Sequence, residues 1–274
     1  MLPGSPELIG LPYDASSSYL RGAAEAPALI RASLHSSAGN SWTEGGYDLR
    51  AEGGLGDAGD LQLPVTAEAR ALIESGIAAL LARGKRPISL GGDHSVTYPV
   101  MRAIRRMHPQ LTILHIDAHP DLYEEFEGDR YSHACPFARI MEEKLASRLV
   151  QVGIRCMSGP QLMQAREYCV EVIDMRAWET GVRPNIDGPV YITIDLDGLD
   201  PAYAPGVSHR EPGGLSVRDV LTLIQNLRGP LVGADVVEYN PRQDAAGVTA
   251  DVAAKLVKEL AGKMMQQSVL LQRR

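Results

Sequence analysis

The sequence predicts an α/β protein whose mostly parallel sheet is covered by helices on both faces. Short apolar runs recur along the 274 residues, and amphipathic stretches separate several of them. This alternation is typical of parallel sheets, because right-handed crossover connections carry the chain back over a face of the sheet. In such a sheet the carboxyl ends of the strands share one edge, where ligands bind.

Eight segments have the apolar character of buried strands. The second is the weakest, because glycines and acidic residues interrupt it. The predicted strands lie near Leu8–Tyr13, Leu55–Asp60, Pro87–Gly91, Leu111–Asp117, Arg148–Ile154, Val170–Met175, Pro189–Asp195 and Leu231–Glu238.

Helical patterns separate some of these strands. Thr66–Arg83 places leucines and isoleucines at helical spacing on one face. Pro27 occupies a first-turn position ahead of Ala28–Ser33. Ser216–Asp219 resembles a capping box at the start of a helix, and Ala250–Met265 is predicted to be a long amphipathic helix.

The chain shows no internal repeat, linker or low-complexity tract. A single α/β domain of this length is common. We therefore expect one domain over residues 1–267, followed by a mobile tail over 268–274.

Composition limits the partners and the cellular location. The net charge is −7 and no Lys/Arg block is present, so we expect no nucleic-acid partner. No run of 18 apolar residues occurs, so we expect no membrane partner. The three cysteines lack CxxC spacing, which suits a reducing compartment. Together with an N-terminus that lacks targeting character, this predicts a cytoplasmic protein.

Three potential metal ligands follow the fourth predicted strand. The segment Leu111–Asp121 begins as an apolar run and ends in Asp117, His119 and Asp121. Side chains two residues apart point the same way in extended chain. We therefore expect these three side chains to converge just beyond the end of the strand.

Further ligands follow other strands. Asp195 and Asp197 share a face at the end of the seventh strand, and His94 follows the third in a Gly-Gly-Asp-His motif. Four clustered carboxylates repel each other unless cations neutralise them. The sequence therefore predicts a site for two divalent ions. Its six predicted ligands are His94, Asp117, His119, Asp121, Asp195 and Asp197.

The donor types indicate the metal and the reaction. Carboxylate oxygens with only two imidazoles favour Mn²⁺ over Zn²⁺, so we expect two Mn²⁺ ions per subunit. Paired ions lower the pKa of water towards neutrality and supply hydroxide for hydrolysis. His133, in a loop soon after the ligand segment, could move protons. Glu238, at the end of the eighth strand, could pair with a planar guanidinium through two hydrogen bonds.

Several residues have simpler interpretations. An isolated Asp-x-His-x-Asp is most often a solvated loop, and only its combination with motifs at other strand ends indicates a metal site. Asp93 would stabilise its glycine loop, and His115 would lie buried beside the ligands. Cys135 is expected to pack rather than to act as a nucleophile. His209 is open to either interpretation, as a surface residue or as a contact to substrate.

Taken together, these motifs resemble the ureohydrolase family, whose arginases and agmatinases hydrolyse guanidino compounds to urea. The likeness spans nearly the whole chain and is greatest to plant-type arginases. The segments that match the family are Gly91–Ser95, Asp117–Asp121, Ser132–His133, Asp195–Pro201, Pro205–Gly206, Gly213–Leu215 and Glu238–Pro241. Those that look most like plant-type arginases are Asp121–Gly128, Tyr131–Ala134, Phe137–Glu142, Leu149–Arg155, Gly206–Gly214 and Val232–Pro241.

The resemblance implies a three-layer α/β/α fold with an eight-stranded, mostly parallel sheet. It also implies two Mn²⁺ ions and assembly into homotrimers or homohexamers. By the same resemblance, one ion would bind His94, Asp117, Asp121 and Asp195, and the other would bind His119, Asp117, Asp195 and Asp197.

The resemblance also implies the catalytic groups. His133 would be the proton shuttle, and Glu238 would pair with the guanidinium of the substrate. Asp121 is counted with these catalytic groups as well as with the metal ligands.

The expected reaction is the hydrolysis of L-arginine, a small cationic guanidino compound, to L-ornithine and urea. Animal arginases place Asn, Thr and Pro after the metal segment, where this chain has Leu122–Glu125. Agmatine, which would give putrescine and urea, or another guanidino acid therefore remains an alternative substrate. An amide deacylase with one Zn²⁺ and a non-enzymatic sensor are alternatives of other classes.

Overall fold

Eight parallel strands form the central sheet of the computed structural model, which describes residues 4–272. Every pairing between neighbouring strands is parallel, and the spatial order is β2-β1-β3-β8-β7-β4-β5-β6. The strands are β1 (Pro6–Gly10), β2 (Gly56–Asp60), β3 (Arg86–Leu90), β4 (Thr112–Ile116), β5 (Arg148–Ile154), β6 (Glu171–Asp174), β7 (Val190–Asp195) and β8 (Leu231–Val237).

Helices cover both faces of the sheet and complete three layers. The helices are α1 (Ala26–Leu34), α2 (Glu68–Ala82), α3 (Thr97–Arg105), α4 (Pro136–Glu142), α5 (Gly159–Glu167), α6 (Met175–Glu179), α7 (Val217–Gln225) and α8 (Val248–Gln272). One apolar core lies beneath α2, α3, α4 and α5, and a second lies beneath α1, α6, α7 and α8. Within residues 4–272, none of these helices combines the length and the apolar character that crossing a membrane requires.

The predicted α/β/α fold and its eight strands are confirmed, although some boundaries differ. The first strand begins at Pro6 and ends at Gly10, because the chain turns into a loop before Tyr13. Helices α3 to α6 had no counterpart among the helical patterns, since elements of five to nine residues contain too few turns to show a clear period.

The end of the chain also differs from the sequence analysis. Helix α8 continues to Gln272, beyond the predicted domain boundary at residue 267. Residues 273–274 of the predicted tail lie outside the described residues. The division into one domain over 1–267 and a mobile tail over 268–274 stays a prediction.

Side-chain alternation in the central strands decides on which side of the sheet the site lies. In β4, Leu114 and Ile116 join the core beneath α8, whereas Ile113 joins the core beneath α3. Asp117 has the parity of Ile113, and Asp195 has that of Tyr191, which packs in the same core. The carboxylates at the ends of β4 and β7 therefore emerge on the α2–α5 side of the sheet.

Replacing Gly92 by alanine should destabilise the fold. A Cβ at this position would lie 1.7 Å from the carbonyl oxygen of Tyr13, which also accepts a hydrogen bond from the Asp93 backbone. The loop would have to move away, so we expect a loss of at least about 2 kcal/mol in the free energy of unfolding. The matched control is Gly39→Ala, which meets no atom within 4 Å. Urea unfolding curves with equal midpoints for the two variants would contradict this expectation.

Candidate metal centre and active site

The four strands at the centre of the sheet bring the predicted ligands together. His94 follows β3, the segment Asp117–Asp121 follows β4, and Asp195 and Asp197 lie at the end of β7. Because β3, β8, β7 and β4 are neighbours in this order, their carboxyl ends form one continuous edge. Groups far apart in the sequence therefore meet in one buried place.

The first group of ligand atoms surrounds the ring of His94. Its Nδ1 atom lies 3.2 Å from Oδ2 of Asp117, 3.1 Å from Oδ2 of Asp121 and 3.2 Å from Oδ2 of Asp195. The ring is fully buried, and this nitrogen has no hydrogen-bond partner among the described residues. A buried nitrogen that faces three carboxylate oxygens without a hydrogen bond fits a shared cation.

The second group adjoins the first through Asp117. The Nδ1 atom of His119 lies 3.1 Å from Oδ2 of Asp197 and 3.5 Å from Oδ1 of Asp117. The ligand atoms of these three residues lie within 4.8 Å of one another. Asp117 thus contributes one oxygen to each group. The ligand atom of Asp195 belongs to the first group, and its role as a second bridge stays a prediction.

The electrostatics of the cluster favour bound cations. Burial and the neighbouring carboxylates raise the pKa of Asp195 well above its ordinary value. Burial, followed by the charge of Asp117, raises the pKa of Asp197 to about 7. Positive ions would remove the repulsion that produces both shifts. The donor set, two imidazoles and four carboxylates, therefore fits divalent ions that prefer oxygen ligands.

Neutral side chains orient the two ligands His94 and Asp117. Nε2 of His94 lies 2.9 Å from Oγ1 of Thr193, which leaves Nδ1 free to bind a cation when Nε2 carries the proton. The amide of Gln151 donates to Nδ1 of His115 at 3.0 Å, so Nε2 of His115 donates to Oδ2 of Asp117 at 2.7 Å. His115 is buried beside the ligands, as predicted.

The loop before His94 is held by Asp93. Its carboxylate accepts hydrogen bonds from the backbone of Ser16 at 2.9 Å and from the backbone of Ser95 at 3.1 Å. Asp93 therefore stabilises its loop, as the sequence analysis expected.

His133 and Glu238 form a pair on one side of the ligand groups. Nδ1 of His133 lies 2.8 Å from Oε1 of Glu238, and the same oxygen accepts the backbone N–H of His94 at 2.8 Å. Burial alone would lower the pKa of His133, but the carboxylate of Glu238 and nearby acidic groups raise it to about 9. Burial acts to raise the pKa of Glu238, but the charge of His133 and its hydrogen bond to Glu238 lower this pKa below its ordinary value.

Two site residues have a strained backbone. Asp121 has φ of 50° and Glu238 has φ of 61°, a region that residues other than glycine rarely adopt. Such strain persists only where surrounding contacts hold it, and it concentrates at functional sites. Glu127, Lys144 and Cys169 adopt the same region, so the backbone conformation alone does not distinguish Asp121 and Glu238.

Four of the six predicted ligands, His119, Asp121, Asp195 and Asp197, form the floor of a cleft of about 490 Å³, whereas His94 and Asp117 are fully buried. Tyr123 and Phe126 line the cleft with aromatic rings, and His209 lines it too, with its ring centroid 5.3 Å from that of His133. The structure thus places His209, which the sequence left undecided, in the cleft. Arg155 also lines it, but its guanidinium donates to backbone carbonyls of Gly153, Asp197, Gly198, Leu199 and Glu211.

The sequence analysis missed the partners of the ligands. Thr193 precedes Asp195 by two residues and shares its face, so strand parity could have identified it. Gln151 and Asp235, which hydrogen-bond to His115 and to Tyr191 rather than to a ligand, are polar residues inside otherwise apolar strands, which is a sign that they have buried partners. Ser18, which contacts Nε2 of His133, lies in an N-terminal loop, and nothing in the local pattern connects the two.

Mn²⁺ should raise the melting temperature more at about pH 8 than at about pH 6. Without metal, the raised pKa of Asp197 makes the folded state bind more protons than the unfolded chain from about pH 4 to about pH 7, so stability falls as pH rises there. Metal binds only deprotonated ligands, so its affinity and its stabilising effect grow with pH. The measurement is the thermal shift at one Mn²⁺ concentration. His119→Asn should reduce the shift at both pH values, and equal shifts of the native chain would contradict this expectation.

The chain is similar over most of its length to plant arginases. It is 46% identical to "Arginase, mitochondrial" of Medicago truncatula, over 94% of this chain and 81% of that protein. It is 45% identical to "Arginase 1, mitochondrial" of Arabidopsis thaliana, over 95% of this chain and 81% of that protein.

These names contradict the predicted cytoplasmic location, which is therefore wrong. Both relatives carry the word mitochondrial in their names, which is not the location that the sequence analysis expected. Location is set by a short targeting segment that a receptor recognises, and the composition of a folded domain does not reveal it.

Structure and family comparisons agree with these relatives. The arginase from Medicago truncatula has a solved structure that matches with a TM-score of 0.90 and 44% identity, over 96% of this chain and 88% of that chain. The family model described as "Arginase family" matches residues 6–262. The predicted relationship to ureohydrolases is confirmed, and this chain belongs to the arginase family.

Proposed function

We propose that the protein hydrolyses the guanidino group of L-arginine to L-ornithine and urea, with two Mn²⁺ ions as cofactor. The observation that carries this proposal is the pair of ligand groups that share Asp117 at the floor of the cleft. When bound, the ions supply hydroxide at neutral pH for attack on the guanidinium carbon. Membership of the arginase family and the plant relatives support the choice of substrate.

The distances support a division of the ligands between two ions. His94 and Asp121 would hold one ion, and His119 and Asp197 would hold the other. Asp117 would bridge them, because its two oxygens face different imidazoles. Asp195 would complete the first set and provide the second bridge. The carboxylate-rich donor set favours Mn²⁺.

The carboxylate of Glu238 would bind the guanidinium of the substrate. Its pKa is lowered, so it is ionised at neutral pH, and it lines the cleft beside the ligand groups. A carboxylate can accept two parallel hydrogen bonds from a guanidinium, which fixes the plane of the substrate. Asp121 also lines the cleft, so its carboxylate can accept a hydrogen bond from the reacting group.

His133 would hold the proton that the leaving amine requires, and Ser18 provides a partner for both forms of the ring. The backbone N–H of Ser18 lies 3.2 Å from Nε2 and can donate to the neutral ring. The hydroxyl of Ser18 lies 2.8 Å from the same nitrogen and can accept from the protonated ring. Since Ser18 is exposed, it connects His133 to solvent. The ring can therefore gain and lose a proton without losing its contact.

The oligomeric state belongs to the proposal as well. The resemblance to ureohydrolases supports a homotrimer or a homohexamer. Large apolar side chains such as Leu29, Trp42 and Leu72 are exposed and could contribute to contacts between subunits.

The cleft also supports agmatine as a second candidate. Among the described residues that line it, Arg155 is the only arginine or lysine, and backbone carbonyls occupy its guanidinium. The α-carboxylate of arginine would therefore be bound by neutral donors such as Ser158 or Gln161. Agmatine lacks this carboxylate and would leave no unpaired negative charge in the cleft.

Urea formation from the two substrates separates these candidates. With the Mn²⁺-loaded protein, we expect kcat/KM to be at least about tenfold higher for L-arginine than for agmatine, a difference of about 1.4 kcal/mol in transition-state binding. The control is Glu238→Gln, which should reduce turnover of both substrates because both carry the guanidinium. A higher kcat/KM for agmatine would reject arginine as the preferred substrate.

A further inference from the structure

A further cluster of side chains that could bind a metal lies at the rim of the cleft. His119, Cys156 and Glu211 each place one ligand atom within 4.8 Å of the other two. His119 and Cys156 also line the cleft that contains the carboxylate groups. The cluster combines an imidazole, a thiol and a carboxylate, and two of its three members belong to neither group described above.

Hydrogen bonds to backbone carbonyls hold the three residues close together. The backbone N–H groups of Arg155 and Cys156 donate to the carbonyl of Ala118 at 2.9 and 3.1 Å, which fixes Cys156 beside His119. The guanidinium of Arg155 donates to the carbonyl of Glu211 at 2.6 and 2.9 Å. All three positions are therefore set by the fold, and only the side chains of Cys156 and Glu211 need to adjust around an ion.

The donor types differ from those of the buried groups. Zn²⁺ binds thiolate, imidazole and carboxylate donors, and three protein ligands leave a fourth tetrahedral position for water. Soft thiolate ligands select zinc and similar ions, whereas carboxylate-rich sites suit Mn²⁺. The rim cluster should therefore prefer a different ion from the floor of the cleft.

We propose that His119, Cys156 and Glu211 form a binding site for a thiophilic divalent ion such as Zn²⁺, and that occupation of this site inhibits the enzyme. The inhibition rests on the function proposed above, whereas the binding site stands on its own geometry.

Two physical effects connect binding to inhibition. A neutral imidazole has a single free lone pair, so His119 can bind the rim ion or the ion held by Asp197, but not both at once. A divalent ion at the rim would also repel a guanidinium that enters the cleft lined by Glu238. Both effects lower turnover without any change in the fold.

The other two cysteines differ in ways that make the test selective. Cys135 is fully buried, and burial raises the pKa of its thiol to about 12, so it does not compete for the ion. Cys169 is exposed like Cys156, but it follows α5 while Cys156 precedes it. A helix of nine residues separates the two by about 14 Å. Cys169→Ser is therefore the matched control.

Cadmium tests the binding site directly, because a thiolate bound to Cd²⁺ gives an ultraviolet charge-transfer band. We expect one equivalent of Cd²⁺ to produce this band in the native chain and in Cys169→Ser. Cys156→Ser should lose the band, and Glu211→Gln should weaken binding by at least about tenfold. A band that persists in Cys156→Ser, or that disappears in Cys169→Ser, would overturn the proposed site.

Urea formation in excess Mn²⁺ tests the inhibition. Zn²⁺ should inhibit the native chain and Cys169→Ser alike, whereas Cys156→Ser should require at least about ten times more Zn²⁺ for half-inhibition, relative to its own rate without zinc. Equal sensitivity of Cys156→Ser would show that zinc acts at the buried carboxylates and would overturn the inhibitory role. If the native chain made no urea, the proposed function would fail, and the cadmium titration would still decide the rim site.

Discussion

Repulsion among buried carboxylates is the constraint on which the rest of this structure depends. Asp117, Asp121, Asp195 and Asp197 lie buried at the ends of two adjacent strands. Little water reaches them there, so burial and the charge of Asp117 oppose the ionisation of Asp195 and Asp197 and raise the pKa of both carboxyls. The fold can keep these four acids together because cations, when bound, replace the water that the acids lost.

The same constraint explains the polar residues inside apolar strands. His115 in β4, Gln151 in β5 and Thr193 in β7 would each lower stability if they were buried without a partner. Instead they form the hydrogen bonds that orient the ligands. Asp235 in β8 accepts hydrogen bonds from Thr97 and Tyr191 in the same interior. Burial in the strands therefore supplies rigidity, and the acids beyond the strand ends supply the affinity for cations.

Local patterns predicted the eight strands, four of the eight helices and the six candidate ligands, but not the order of the strands in the sheet. Two-residue spacing placed Asp117, His119 and Asp121 on one face, because strand geometry fixes that relation. Which strands lie next to each other, here β3, β8, β7 and β4, depends on how the crossover helices pack. The periodicity of a single segment does not show this. The contact between Ser18 and His133 was invisible for the same reason, since it joins two loops distant in sequence.

Anomalous diffraction at the manganese absorption edge tests most directly whether this chain holds a pair of ions. For crystals grown with excess Mn²⁺, we expect two peaks on either side of Asp117, one beside His94 and one beside His119. In crystals of His119→Asn the second peak should be lost while the first remains. A single peak in the native chain, or none near these side chains, would contradict the binuclear centre and the urea-forming reaction that depends on it.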